Sequence, residues 1–177
     1  LIETIGDMNV RNVLSRNGNV ALTANLSILD AFDLTDPTDP SSSEDTASTG
    51  KPRADILGDS ITLVATIGQI GQAGNELDID SRRLGTGVLN SSSSDNTYLI
   101  ETSGNLYIDQ TGTKGKTAFI TAPTSGIFNG AAADVSNVSG GRAFLVANTN
   151  IGTTLKPLFT RIGTIQSIST TGSTYVT

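Results

Sequence analysis

The chain has 177 residues, enough for one domain with a core, yet only 36% are hydrophobic, 5% are aromatic and none is Trp. Eleven Lys and Arg against 17 Asp and Glu give a net charge of −6, and the basic residues form no stripe, which excludes nucleic acid as a partner. With no Cys and no His, disulfides, thiolate or imidazole metal ligands and a His base are excluded; no apolar run predicts a transmembrane segment, and no signal-peptide pattern is present.

The chain opens in mid-phrase at Leu1 with "LIETIGDMNVRNVLSRNGNVALTANLSILDA" (1–31) and is read as an excised or processed piece of something longer. "LIETSGNLYIDQTGTKGKTAFITAPTSGIFNGA" (99–131) answers it at an offset of 98, which Thr23-Ala24 and Thr121-Ala122 keep. "ADILGDSITLVATIGQIG" (54–71) runs parallel to "ADVSNVSGGRAFLVANTNIG" (133–152), and "NTYL" (96–99) to "STYV" (173–176). The chain is therefore read as one β segment made of two degenerate copies of a unit, 1–98 and 99–177. Within each copy a smaller module recurs: a short aliphatic strand ending in Ala, a turn, then an Ile. The four examples are "LTANLSI", "LVATIGQI", "ITAPTSGI" and "LVANTNI". The Ile follows by four residues in Ala24 to Ile28 and Ala147 to Ile151, and by five in Ala65 to Ile70 and Ala122 to Ile127.

"SITLVA", "ELDID", "TYLIE", "NLYID" and "TAFITA" alternate apolar and polar residues, the period of a half-buried strand, and no window carries a helical period. Short strands in tandem repeats, broken by polar turns, predict an all-β solenoid, a parallel β-helix in which each coil covers the apolar edge of the one below. A β-sandwich is the alternative. Coils of about 20 residues would number about eight or nine and make a rod of roughly 40 Å.

These phrases carry a resemblance. "GNVALTANLSILDA" (18–31), "SITLVATIGQIGQAGNELDID" (60–80) and "TYLIETSGNLYI" (97–108) resemble the repeats of large bacterial exoproteins, the filamentous-haemagglutinin-like adhesins and their relatives. The second copy is more degenerate, as in "LKPLFTRIGTIQSI" (155–168). The resemblance implies a right-handed β-helix in a long, secreted, cell-surface fibre, and it transfers no catalytic residue.

The sharpest departure from the repeat is an acidic insertion, residues 32–53, between Ala31 and Ala54, where the aligned Ala131 and Ala133 stand two apart. Asp33, Asp36, Asp39, Glu44 and Asp45 lie there among Pro37 and Pro40, and carboxylates at such steps could share a calcium ion. The spacing is not that of an EF-hand loop, and a solvated, partly extended excursion is the reading preferred over a calcium site. Asp78 and Asp80 of "LDID" fall on one strand face, about 6.6 Å apart, near the separation used in glycoside hydrolysis. Their counterparts in the second copy are Phe159 and Arg161, so one coil alone would carry that chemistry.

"QTGTKGKT" (110–117) imitates the end of a P-loop, but Gln110 stands where its first Gly is required. Asn25-Leu26-Ser27, Asn90-Ser91-Ser92 and Asn137-Val138-Ser139 match a glycosylation pattern that chance produces in so Asn- and Ser-rich a chain. No catalytic constellation emerges. The function expected is structural: a non-enzymatic segment of an extracellular β-helical fibre, stacking end to end on copies of itself or adjacent repeats. An adhesin module binding carbohydrate or another cell surface is the alternative, and a polysaccharide lyase or hydrolase stands behind it.

Overall fold

A computed structural model describes residues 1–31, 54–82 and 84–177. Among them there is no helix; fifteen strands pair in parallel, and the chain climbs as a β-solenoid. The alternating segments behave as their pattern requires. β4 (Val20–Ala24), β7 (Ile61–Ala65), β10 (Thr97–Glu101) and β12 (Thr117–Ala122) bury every second residue.

Each turn of the solenoid has two sides. On the first side β1 (Ile2–Glu3), β4, β7 and β9 (Leu89–Ser93) stack in register, and β9 continues into β11 (Leu106–Thr113). On the second side β2 (Met8–Val10) and β3 (Val13–Leu14) lie under β5 (Ile28–Asp30) and β6 (Ile56–Leu57). Ile70 and β8 (Leu77–Asp80) follow, then β10, then β12. β14 (Val138–Ala147) begins on β11 and ends on β12, rounding the corner at Gly140-Gly141. One 13-stranded sheet therefore runs up one side and down the other. β15 (Thr160–Ser169) repeats that bend one turn higher.

The turns number about seven, fewer than the eight or nine expected, because excursions at the corners consume residues that add no height. In the first copy one side is a single straight strand. The other is in two parts, separated by residues 32–53 or by the turn 71–76, which is closed by reciprocal bonds between Gln72 and Asn75. In the second copy β13 (Ile127–Asn129) and Ile151 begin the two-part side, and the straight strands are β12 and the second halves of β14 and β15.

Here the repeat acquires a phase. From Ile2–Glu3 the chain passes seven half-turns before it reaches β10, which restarts the phrase. Seven is odd. A strand on the first side in copy one therefore has its counterpart on the second side in copy two, so the second unit sits half a turn round from the first. The junction is continuous: Leu99 pairs with Leu77, Ile100 with Asp78 and Glu101 with Ile79.

The core is thin and aliphatic. The recurring pairs Ala24 and Ile28, Ala65 and Ile70, Ala122 and Ile127, and Ala147 and Ile151 are all buried, none above 2% exposed. They stack directly, Ala24 on Ala65 and Ile28 on Ile70, Ala122 on Ala147 and Ile127 on Ile151. Each rung covers its neighbour's methyl groups, which is how so few apolar residues close a core. Outside the sheet Tyr98, Phe119 and Phe144 stack at 4.7 and 4.8 Å, nearly parallel.

One alignment drawn from the sequence is corrected. Asp55 bonds reciprocally to β8, its N–H to the Asp78 carbonyl and its Oδ2 taking the Asp78 N–H at 3.1 Å. Asn137 does the same to Phe159, its Oδ1 taking the Phe159 N–H at 2.9 Å. Asp55 thus corresponds to Asn137, not to Asp134, and the neighbouring "AD" pairs coincide by chance. With Asp30 matching Asn129, the first copy is longer here by 25 − 8 = 17 residues rather than 21.

Candidate functional site

The carboxylates proposed for calcium, Asp33, Asp36, Asp39, Glu44 and Asp45, lie outside the described residues. Among the described residues no group of three Asp or Glu is placed to hold a metal. Asp78 and Asp80 both point outward from β8, but they are not equivalent: Asp78 is buried and Asp80 is half-buried. Asp78 is covered, so the two carboxylates that share a strand face are not both open to a substrate.

Asp80 instead forms part of an open groove of about 620 Å³, shared with Arg16, Arg82, Leu84, Gly85, Ser103, Gly104 and Asn105. The groove lies where the chain turns from the second side back to the first, so successive coils deliver these residues to one corner. Its wall is a loop that the fold does not need. From Ser81 to Leu89 the first copy uses eight steps; the counterpart Ile162 to Ile165 makes the same corner in three. Gly85, Thr86 and Val88 are tied down. Thr86 Oγ1 donates to Asp59 Oδ2 at 3.0 Å, Gly85 N–H to the Arg82 carbonyl at 2.7 Å, and Val88 N–H to Ser60 Oγ at 3.2 Å. Gly87 packs so closely on the carbonyls of Asp59 and Ser81 that a side chain has no room.

The far wall is equally fixed. Ser125 Oγ donates to the Gly104 carbonyl, and Gly126 N–H donates to Asn105 Oδ1 at 3.1 Å. Arg82 lies over the Tyr107 ring at 4.0 Å, a cation–π contact, and Tyr107 rests on Phe128. Among the described residues neither Arg16 nor Arg82 has an ion-pair partner. Among the described residues the groove carries two guanidinium groups and one carboxylate, in a chain whose overall charge is negative.

Behind the groove Glu101 points inward from β10 and is wholly buried. Ser81 Oγ donates to its Oε2 at 2.5 Å and Ser81 N–H to its Oε1 at 3.1 Å. Burial pushes the Glu101 carboxyl up to about 8, the Ser81 bonds oppose the rise, and the charge of Asp80 adds to it. No surface of Glu101 reaches solvent, so it supports the corner from behind and does not line the groove.

The other candidate motifs become structural. The P-loop imitation is the end of β11 and a turn at Gly115, where φ is 77°. Asn137 of the third glycosylation pattern is fully buried: its Nδ2 donates to the carbonyls of Ile108 and Asp109 and to Asn129 Oδ1. Nothing in the sequence singles out Arg16, Arg82, Ser103, Asn105 or Glu101. The one available signal was the extra length of "DSRRLGTGVLN" (80–90) over its counterpart in the second copy.

No protein-family model matches the chain, and no curated protein or solved structure matches it at the significance required. No helix among the described residues is long and apolar enough to cross a membrane.

Proposed function

We propose that the chain is a structural segment of an extracellular, surface-attached β-helical fibre, in which like units stack end to end. The observation that supports it best is the internal junction. The first strand of the second copy, β10, lies in register on the last coil of the first through Leu77, Asp78 and Ile79. One unit can therefore carry another by extending ladders already present, without a separate interface. The bacterial-exoprotein resemblance supports an extracellular setting.

The odd count of half-turns gives the fibre a specific form. Each added unit is turned by half a revolution, so corner excursions such as 71–76 and 152–157 emerge on alternate sides. The upper surface is suited to continuation. Among the described residues β15 pairs only with β14, and Ile165 and Ile168 are exposed. An open strand edge of this kind templates further pairing.

Electron microscopy and sedimentation across a range of protein concentrations test this reading. Rods should lengthen with concentration in steps of one chain, and Ile165→Lys should hold the protein at one chain. Particles that stay one chain long at every concentration would contradict it.

A further inference from the structure

We propose that Asn17 is a self-modifying site, where the chain converts its own asparagine to aspartate and isoaspartate through a succinimide closed by Gly18. The inference is independent of the fibre reading, because one corner of a single chain carries all of it.

The chain contains two Asn-Gly steps, Asn17-Gly18 and Asn129-Gly130, and the fold treats them oppositely. The reaction needs the backbone nitrogen after the asparagine to reach the side-chain carbonyl carbon. Glycine is the neighbour that leaves this approach open, having no Cβ. At Gly130 the nitrogen is engaged: its N–H donates to the Ile108 carbonyl at 2.8 Å. Asn129 is 3% exposed, and both ends of its amide are held. Its Oδ1 accepts from Ala131 N–H at 2.9 Å and from Asn137 Nδ2 at 3.0 Å, and its Nδ2 donates to the Pro157 carbonyl at 3.0 Å. Neither group turns toward the other without breaking those bonds.

At Asn17 these restraints are missing. Its side chain is exposed and makes no hydrogen bond among the described residues, and the Gly18 N–H donates to none of them. The corner is held from elsewhere. Ser15 N–H donates to the Leu57 carbonyl at 2.8 Å, Asp59 N–H to the Gly18 carbonyl at 2.9 Å, and Ser60 N–H to Asn19 Oδ1 at 3.1 Å. Those anchors stand on either side of the peptide joining Asn17 to Gly18 and leave its nitrogen able to attack.

The step balances with water alone. Hydroxide takes the Gly18 amide proton, the nitrogen bonds to Asn17 Cγ, and the Cγ–Nδ2 bond breaks to release ammonia. Water then opens the ring. Cleavage of the new N–Cγ bond gives aspartate; cleavage at the main-chain carbonyl leaves the chain running through Cγ as isoaspartate. Either product adds one negative charge beside Arg16 to a chain whose net charge is −6. The extra main-chain atom of isoaspartate falls between the anchors, outside the ladders, where an exposed loop accepts it.

The test incubates the whole protein at mildly alkaline pH, folded and in urea, and follows it by ion exchange and by peptide mapping with isoaspartate detection. The folded protein should convert Asn17 at least about tenfold faster than Asn129, and urea should bring the two to similar rates. In Gly18→Ala the added Cβ meets only Ser15 Oγ, at 3.6 Å, so the urea midpoint should hold while conversion of Asn17 slows at least about tenfold. The proposal is overturned if folded Asn129 converts as fast as Asn17, if Gly18→Ala converts at the wild-type rate, or if Asn17 keeps its amide in the folded protein.

Discussion

Gly71 and Gly152 occupy the same place in the two copies, and their surroundings coincide. Their φ angles are 63° and 68°. A Cβ on Gly71 would lie 2.2 Å from the Tyr98 carbonyl oxygen and 2.9 Å from the Leu77 nitrogen; on Gly152 the same distances separate it from Tyr175 and Leu158. Each glycine follows a buried Ile and starts an excursion beneath the backbone of the next coil. Two sites 81 residues apart share one geometry because the unit, half a turn out of phase, repeats its packing and not only its letters.

Alanine at either position should therefore cost about 2–4 kcal/mol, combining a left-handed backbone with a backbone clash that no side chain can relieve. Gly74→Ala is the control: its φ is 79° but nothing lies within 4 Å, so it should cost about 1 kcal/mol. Urea unfolding of the three variants checks the ranking. Equal losses at Gly71 and Gly74 would remove the crowding argument.

Glu101 predicts a pH dependence. Its folded value near 8 lies above the ordinary 4.5, so the folded chain holds a proton that the unfolded chain releases between the two. Stability from this group is complete below about pH 4.5 and is lost as pH rises through 8. The loss is on the order of 5 kcal/mol. Glu101→Gln abolishes it, so the variant should gain on wild type steadily from pH 5 to pH 8.5 in denaturant titrations. Parallel curves would refute the assignment.

Glu3 holds the equivalent place in the first copy and shifts the opposite way. The N–H groups of Ile5 and Gly6 donate to its Oε1 and lower its pKa. Its contribution is present above the ordinary carboxylate value and lost as pH falls through its lowered one. NMR titration of the two glutamates should separate them, Glu3 below the usual range and Glu101 far above it.

The aromatic ladder is a stabilising stack. Phe119 is held between Tyr98 and Phe144 with interplanar angles of 5° and 4°, so the ring faces cover one another and only edges reach solvent. A double-mutant cycle on Phe119 and Phe144 should give a coupling of about 0.5–1.5 kcal/mol. A coupling near zero would show that the rings are neighbours without contributing.

Asn137 braces the base of the 130–136 excursion with four hydrogen bonds and no exposure. Asn137→Ala takes the acceptor from Phe159 N–H and the donor from the Asp109 carbonyl, and should cost about 2–4 kcal/mol. Thermal unfolding measures it, and a variant as stable as wild type would contradict the role.

What the sequence made legible was local. Ala24 with Ile28 and Ala147 with Ile151 stand a few residues apart, and burial of small aliphatics at a fixed short spacing follows from one strand and one turn. The phase of the repeat was hidden, because an offset of 98 does not reveal whether the half-turns between Leu1 and Leu99 are odd or even. Hydrogen bonds between coils decide that. The groove was hidden for the same reason: Arg16 and Arg82 share a corner only after the coils between them have stacked. Asp78 and Asp80 were paired by the alternation of their strand, which predicts a common face but not that one would be covered.

The half-turn exchange between copies is tested most directly by proton contacts across β9. Ser91 should show backbone contacts to Thr111, whose Oγ1 lies 3.0 Å from Ser91 Oγ, and to Leu63, with none to Ile120. Contacts from Ser91 to Ile120, the straight strand of the second copy, or the close α-proton pairs of an antiparallel hairpin, would contradict the solenoid described here.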